Sequence, residues 1–311
     1  MKGVETMKAG TNLEKVLQSG AFAVTTEVGP AKGAVASAIE KNGEMLKSYC
    51  DAVNVTDNQS AVVRMSSWSS CVLLKRLGVD PVMQIVVRDR NRLAIQSDVL
   101  GAVALGIQNI LCLSGDHQAI GNHPEAKGVY DIDSIQLIQM LKTMRDEKKF
   151  QCGEEISGEV PIFIGAAANP FADPFEYRVL RLAKKVKAGA DFIQTQAIFD
   201  AAKFTKWMEM VRDRGLDKQV HILAGVIPTR SVGMARYMRD YVSGVYVPDE
   251  IITRLQGAKS AKEEGVKICL ETIEQLKEVE GIHGIHIMAV AWEEIVPRIV
   301  EEAKLLPRPV V

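Results

Sequence analysis

The sequence predicts an α/β fold, a single-domain (β/α)8 barrel of the TIM type. Eight short runs rich in β-branched residues alternate with longer amphipathic segments along the 311 residues, which indicates parallel strands joined by helical crossovers. Several helical segments end in glycine directly before the next strand, as a helix stop requires. No G-x-G-x-x-G turn follows the first strand, and this favours a closed barrel over an open doubly wound sheet.

The individual elements follow from this alternation. The predicted strands occupy residues 21–28, 51–55, 82–87, 109–113, 160–167, 191–195, 221–225 and 284–288. The predicted helices occupy residues 34–49, 61–78, 92–105, 132–147, 174–188, 201–214, 232–241 and 293–305. We expect one barrel domain over residues 1–311, a helical extension at about 10–20 and an extra helical segment at about 247–279 before the last strand.

Composition narrows the class of protein. Hydrophobic residues make up 47% and charged residues 25% of the chain, as is typical of globular proteins. A net charge of -1 gives no reason to expect a nucleic-acid partner. The five cysteines include no C-x-x-C pair, so we expect reduced thiols in a cytoplasmic protein and no metal site. Residues 1–10 lack the apolar core of a secretory signal, and no membrane insertion is expected.

Glu27 is the most informative residue, because it stands alone among apolar and small residues at the C-terminal end of the first strand. The C-terminal ends of barrel strands carry the chemistry of such folds. Flanked by Val24, Val28 and Pro30, the carboxyl would be partly shielded from water and could act as a general acid. An exposed loop carboxylate is the alternative.

Other strands also end in polar or small residues. Asp116 follows Gly115 after the fourth strand and could accept hydrogen bonds from the N–H groups of a heterocycle, although a turn or N-cap aspartate has the same pattern. Gln196 can both donate and accept at the edge of a flat ring. Three further features are Thr56 at the second strand end, the small residues 166–168, and the cluster Arg88-Asp89-Arg90-Asn91-Arg92. The arginines could bind phosphate or pair with neighbouring carboxylates. Lys185 is a candidate ligand for a phosphate group, and a solvated helix residue is the alternative.

Taken together, the strand ends resemble those of the methylenetetrahydrofolate reductase family. Each piece is weak alone, but the pieces occur in family order over nearly the whole chain. They are Thr25-Thr26-Glu27-Val28, Val53-Asn54-Val55-Thr56-Asp57, Leu113-Ser114-Gly115-Asp116, residues 166–170 (AAANP), Lys187-Ala188-Gly189-Ala190, Gln194-Thr195-Gln196, Phe199-Asp200 and Ala224-Gly225-Val226-Ile227-Pro228.

The resemblance implies a barrel that holds a flavin, with FAD expected and FMN as the alternative, and that reduces 5,10-methylenetetrahydrofolate to 5-methyltetrahydrofolate. By resemblance, Glu27 is the general acid, Asp116 binds the pterin and tunes the flavin, and Gln196 contacts the folate. The positions that match flavin-binding positions of the family are Thr56, Gln84, Gly115, Asp116, Ala167, Ala168, Asn169 and Lys185.

The chain departs from the family pattern at three positions. Gln84 replaces a histidine, Asn169 replaces a tyrosine, and Val232 stands where an aromatic ring stacks on substrate or nicotinamide. The first two positions face the flavin by resemblance, which leaves FMN as an alternative to FAD. Because no ring stands at position 232, we expect electrons from an iron–sulfur partner subunit rather than directly from NAD(P)H, in an oligomer or hetero-complex. Two other hypotheses stay open: a pterin-dependent methyltransferase to a corrinoid protein, and a non-catalytic barrel subunit of a larger complex.

Overall fold

The computed structural model describes residues 7–311 and is built around a closed barrel of eight parallel strands. Each strand pairs with the next in the chain, and the last pairs with the first, so the barrel predicted from the sequence is confirmed. Its strands are β1 (Ala23–Val28), β2 (Ala52–Val55), β3 (Pro81–Val86), β4 (Asn109–Leu113), β5 (Phe163–Ala168), β6 (Phe192–Ala197), β7 (His221–Val226) and β8 (Gly284–Ile287).

Helices surround the barrel, and most of them cross from one strand to the next. They are α1 (Asn12–Gln18), α2 (Ala36–Leu46), α3 (Ser67–Arg76), α4 (Arg92–Ala104), α5 (Ser134–Asp146), α6 (Tyr177–Ala188), α7 (Ala201–Asp213), α8 (Val232–Tyr241), α9 (Asp249–Gly257), α10 (Ala261–Lys277) and α11 (Val296–Glu302). Short 3-10 turns at Gln59–Ala61, Gln118–Ile120 and Glu293–Ile295 lie in the connections.

One predicted helix begins later than expected. The pattern over residues 61–78 predicts a single helix, but α3 starts only at Ser67. Asn58, Ser60 and Ala61 have φ angles of 44°, 57° and 56°, in the left-handed region, so the chain cannot enter a right-handed helix there. These residues form a loop at the C-terminal end of β2 instead.

Helix α1 closes the N-terminal end of the barrel. Its Leu13, Val16 and Leu17 pack in one buried cluster with Phe163 and Phe192, which point into the barrel from β5 and β6. Thr11 caps the helix by accepting a hydrogen bond from the Glu14 amide at 3.2 Å. The open end of the barrel is therefore the C-terminal one.

Two features can be stated for residues 7–311 as a whole. None of their helices is both long enough and apolar enough to cross a bilayer. Within the same residues, no group of three or more His, Cys, Asp or Glu side chains is arranged to hold a metal ion.

Candidate active site

A cavity of about 880 Å³ opens at the C-terminal end of the barrel. Its lining comes from the ends of most strands and from α8, and its size is in the usual range for small-molecule sites. Seven of the residues predicted from the sequence line it together: Glu27, Thr56, Gln84, Gly115, Asp116, Ala167 and Gln196. The remaining three, Ala168, Asn169 and Lys185, line an adjoining cavity of about 230 Å³ that shares Ala167 and Gln196 with the first.

Glu27 lies on the floor of the cavity and is only 9% exposed. Its Oε2 is 3.9 Å from Nε2 of His286, which projects from β8. The other ring nitrogen of His286, Nδ1, shares a 2.9 Å hydrogen bond with the hydroxyl of Thr25. Thr25 and Glu27 are two residues apart on β1 and therefore face the same side, next to the imidazole.

The sequence analysis did not select His286. His286 reaches Glu27 because Thr25 pairs with His286 in the parallel register between β1 and β8. That register depends on barrel closure, which places the last strand beside the first, and isolated strand patterns do not contain it.

Below the carboxyl, the barrel interior contains a buried amide pair. Nδ2 of Asn54 donates to Oε1 of Gln194 at 2.6 Å, and Nε2 of Gln194 donates back to Oδ1 of Asn54 at 3.1 Å. Gln194 Nε2 also donates to the Thr25 hydroxyl at 3.1 Å. Thr25 therefore links the amide pair to His286, and the whole group is buried with satisfied polar atoms.

Asp116 lies at the mouth of the cavity and is exposed. Its Oδ2 accepts a hydrogen bond from the Ser60 amide at 3.1 Å, which joins the β4 loop to the β2 loop. The preceding Gly115 has a φ of 83°, and a Cβ there would lie 3.0 Å from Cβ of Val86. Glycine is needed at this position because other residues rarely adopt this φ angle and because a Cβ would crowd Val86.

Thr56 and Asp57 follow β2 and have different surroundings. The Thr56 hydroxyl is buried and has no hydrogen-bond partner among the described residues, so it is available to a ligand in the cavity. Asp57 accepts from the Val86 amide at 3.0 Å and pairs with Arg90 at 2.7 Å. Burial raises the pKa of Asp57 above its ordinary value, and the charge of Arg90 opposes this rise.

The adjoining cavity is cationic. Arg178, Arg181 and Lys185 of α6 line it, and Lys185 Nζ donates to the carbonyl of Ala167 at 2.5 Å. Burial, followed by the charge of Arg181, lowers the pKa of Lys185 to about 8. Three cations beside a strand end with small residues form a surface that suits a phosphate.

Asn169, which the resemblance assigns to flavin binding, also makes a hydrogen bond within the protein. Its Nδ2 donates to the carbonyl of Ser243 at 3.1 Å, so the side chain holds the loop between α8 and α9. Gly244, with a φ of 79°, packs directly against this amide. The Oδ1 atom is buried and unpaired within residues 7–311. Asn169 thus lines the smaller cavity with one free acceptor.

Helix α8 supplies an apolar wall. Tyr237 and Tyr241 are one helical turn apart, with ring centroids separated by 5.5 Å, and both line the main cavity. Val232, at the start of the same helix, does not line it. Aromatic rings therefore reach the cavity from later in α8 than position 232. Sequence analysis missed both tyrosines.

Arg230 also lines the main cavity, at its rim. Its Nη1 donates to the carbonyl of Ala291 at 3.0 Å. Within residues 7–311 this guanidinium takes part in no ion pair, which leaves a cation beside the tyrosine wall. Such a rim suits an anionic group on a ligand whose flat part lies against the wall.

Comparisons with solved structures agree with the barrel. A Clostridium thermocellum protein whose structure is described as binding two copies of 5-methyl-5,6,7,8-tetrahydrofolic acid has a TM-score of 0.66 at 13% identity, covering 96% of this chain and 99% of that chain. Riboflavin lyase with modified FMN and riboflavin has a TM-score of 0.59 at 8% identity, covering 92% and 91%. At these identities the likeness shows the fold alone.

Sequence comparisons show the family. Methylenetetrahydrofolate reductase 2 of Schizosaccharomyces pombe is 28% identical over 65% of this chain and 32% of its own length. The 5,10-methylenetetrahydrofolate reductase of Salmonella typhimurium is 22% identical over 68% of this chain and 66% of its own length. The chain thus spans about a third of the first yeast relative. The family model for methylenetetrahydrofolate reductase matches residues 12–304, and the chain belongs to that family.

Proposed function

We propose that the chain reduces 5,10-methylenetetrahydrofolate to 5-methyltetrahydrofolate with a bound flavin. The observation that carries the proposal is the convergence of Glu27, Asp116 and Gln196 on one cavity in a member of this family. A buried carboxyl, a carboxylate at the mouth and an amide on the lining of the same cavity supply the groups that a pterin ring and its one-carbon unit require.

The residues present fit a flavin. The buried Thr56 hydroxyl lacks a partner within the described residues, and the small side chains of Ala167 and Ala168 leave room for a flat ring against the backbone. Gln84 offers an amide on the cavity floor. When bound, the flavin supplies the hydride that reduces the one-carbon unit.

The smaller cavity bears on the choice between FAD and FMN. Lys185 would hold a phosphate of the flavin, and Arg178 and Arg181 lie beside it. Three cations exceed the need of a single phosphate, which supports FAD as the cofactor, with FMN as the alternative. The unpaired acceptor of Asn169 is available to an N–H or hydroxyl group of the same cofactor.

In this proposal Glu27 delivers a proton. As the five-membered ring of the substrate opens, the carboxyl protonates the amine nitrogen that leaves, and the one-carbon unit becomes electrophilic. His286 lies 3.9 Å away and stabilises the carboxylate that remains, while Thr25 orients the imidazole. Asp116 accepts N–H groups of the pterin, and Gln196 both donates to and accepts from its edge.

The rest of the substrate has a place in the same cavity. The p-aminobenzoyl ring would lie against Tyr237 and Tyr241, and the glutamate carboxylates would meet Arg230. The folate's flat, anionic shape therefore matches an aromatic wall that ends in a cation.

One anaerobic experiment on the purified chain distinguishes the possible electron donors and the competing functions. After reconstitution with FAD or FMN, the flavin spectrum is followed on addition of NADH or NADPH, and then of a reduced viologen. We expect 5,10-methylenetetrahydrofolate to reoxidise the reduced flavin and to yield 5-methyltetrahydrofolate by mass spectrometry.

Each outcome of that experiment is informative. Bleaching by a nicotinamide identifies it as the direct donor, with a surface to stack on at the tyrosine wall. Bleaching by the viologen alone supports an iron–sulfur partner in a hetero-complex. Failure to retain either flavin would contradict the proposal and favour the corrinoid methyltransferase. Flavin binding without folate turnover by any donor would favour a non-catalytic subunit.

A further inference from the structure

The arginine cluster after β3 contains one side chain that is almost wholly buried. Arg88 is 3% exposed, and its guanidinium donates hydrogen bonds to three loops at the open end of the barrel. Nε and Nη2 donate to the carboxylate of Asp89 at 2.7 and 2.6 Å. Nη1 donates to the carbonyl of Asp116 at 2.9 Å, and Nη2 to the carbonyl of Asn58 at 3.3 Å. Five N–H groups in one plane make arginine suited to such a junction.

The β2 loop at this junction has an unfavourable backbone. Asn58, Ser60 and Ala61 have positive φ angles, which residues with a Cβ adopt at an energetic cost. Surrounding contacts hold the conformation. Nδ2 of Asn58 donates to Asp89 at 3.2 Å, and Gly121 of the β4 loop packs so closely on Ala61 that a Cβ there would lie 1.9 Å from its carbonyl oxygen.

This loop in turn holds a carboxylate of the active site. The Ser60 amide donates to Oδ2 of Asp116 at 3.1 Å, whereas Oδ1 receives no hydrogen bond from residues 7–311. Asp116 is exposed, and without this bond its side chain would be free to rotate. The left-handed turn at Ser60 is what aims the amide at the carboxylate.

We propose that Arg88 is a positioning residue, which fixes the carboxylate of Asp116 toward the substrate by holding the β2 loop through Asn58 and Asp89. This inference rests on the proposed function, because Asp116 is assigned to the pterin there. The contacts run in a closed circuit: Arg88 holds the backbone of Asp116 and of Asn58, and Ser60 from the same loop holds the Asp116 side chain.

The chain offers a matched control in the same cluster. Arg92 also makes a bidentate pair, with Asp131 at 2.7 and 2.9 Å, but it is exposed and contacts neither the β2 loop nor Asp116. Arg88→Lys keeps the charge, but a single ammonium nitrogen cannot reach Asp89, Asn58 and Asp116 together, as the separate nitrogens of the guanidinium do. Arg92→Lys makes the same chemical change at a pair outside the circuit. Asn58→Gly is a second test variant, because glycine adopts the φ of 44° without strain while losing two bonds, the one to Asp89 and the one that Oδ1 accepts from the Arg64 amide at 3.0 Å.

The first readout is backbone amide exchange by mass spectrometry, in protein without flavin or folate. We expect peptides that cover residues 58–64 to exchange faster in Arg88→Lys and in Asn58→Gly, and to be unchanged in Arg92→Lys. Unchanged exchange in both test variants would overturn the proposal, because Arg88 would then not hold the loop.

The second readout is a double-mutant cycle on binding of 5-methyltetrahydrofolate to the flavin-loaded protein. We expect Arg88→Lys to weaken binding by about tenfold, and to have no further effect once Asp116→Asn is present. Additive effects would overturn the positioning role and leave Arg88 as a structural residue. Wild-type protein that binds no folate would overturn the proposed function itself, and the exchange result would show that this failure is separate from the loop contact.

Discussion

The carboxylate of Glu27 and the imidazole of His286 lie 3.9 Å apart, at the point where the first and last strands of the barrel meet. The carboxyl is nearly buried and the ring is held from behind by Thr25. An acid that gives up a proton in a shielded site leaves a charge there, and a polar neighbour stabilises that charge. The first two predictions test this pair.

Replacing Glu27 by glutamine should abolish the reduction of the folate while leaving the flavin bound. The amide has almost the same shape but no transferable proton, and general acid catalysis contributes about 10²–10⁴-fold. The rate at which 5,10-methylenetetrahydrofolate reoxidises the reduced flavin measures the effect. Glu293→Gln is the control, because this half-buried carboxyl lies nearby but outside the cavity lining. Undiminished folate turnover in Glu27→Gln would refute the role of Glu27.

Replacing His286 by asparagine should slow the same step by about tenfold or more, because the charge on Glu27 then loses its neighbour. Thr25→Val should have a smaller effect in the same direction, since it removes the hydrogen bond that orients the ring, together with the bond that the hydroxyl accepts from Gln194. Gln194 keeps its bonds to Asn54 in that variant but loses the acceptor at Thr25, so urea unfolding of the variant is measured alongside the rate. Stopped-flow reoxidation gives both rates. Equal rates in wild type and His286→Asn would show that the ring only fills space.

Lys185 should make flavin affinity depend on pH. Burial and Arg181 lower its pKa to about 8, so in the flavin-free protein the ammonium is lost as the pH rises through that value. We expect flavin affinity to fall between pH 7 and 9, and this fall to disappear in Lys185→Arg, whose side chain stays charged. Equilibrium titration by flavin fluorescence measures it. Lys184→Arg, on the exposed neighbour in α6, should retain the wild-type dependence.

Much of this site was accessible from the sequence because it lies at strand ends. Glu27, Asp116 and Gln196 each follow an apolar run, and the alternation of strands and helices brings such ends to one face. What the sequence did not provide is non-local. His286 depends on the pairing of β8 with β1, and Asn169 holds a loop 74 residues away. Neither the closing register nor the path of that loop is encoded in a local pattern.

The tyrosine wall was missed for a different reason. Tyr237 and Tyr241 are 57% and 77% exposed, and a helical residue with that exposure has the same local pattern as an ordinary surface residue. Only the position of α8 over the barrel mouth turns them into cavity residues. The strained loop at Asn58 was missed because no glycine marks its positive φ angles, which are held by tertiary contacts instead.

The last prediction concerns stability at the opposite end of the barrel. Burial, followed by His283 packed edge-on at 4.9 Å, lowers the pKa of His221 to about 4 from an ordinary value of 6.5. Below pH 6.5 His221 is protonated in the unfolded chain, whereas in the folded chain it is protonated only near pH 4. The contribution of the neutral ring to the free energy of unfolding is therefore complete above pH 6.5 and is lost as the pH falls. The linkage relation gives a loss of about 2 kcal/mol at pH 5.

Urea unfolding at pH 7.5 and 5 measures this loss of stability. His221→Phe should reduce the loss, because a phenyl ring does not titrate and can pack beside the neighbouring Phe163. His123 is exposed, and His123→Gln is the control that should leave the loss unchanged. An equal loss in wild type and His221→Phe would assign the pH dependence to other groups.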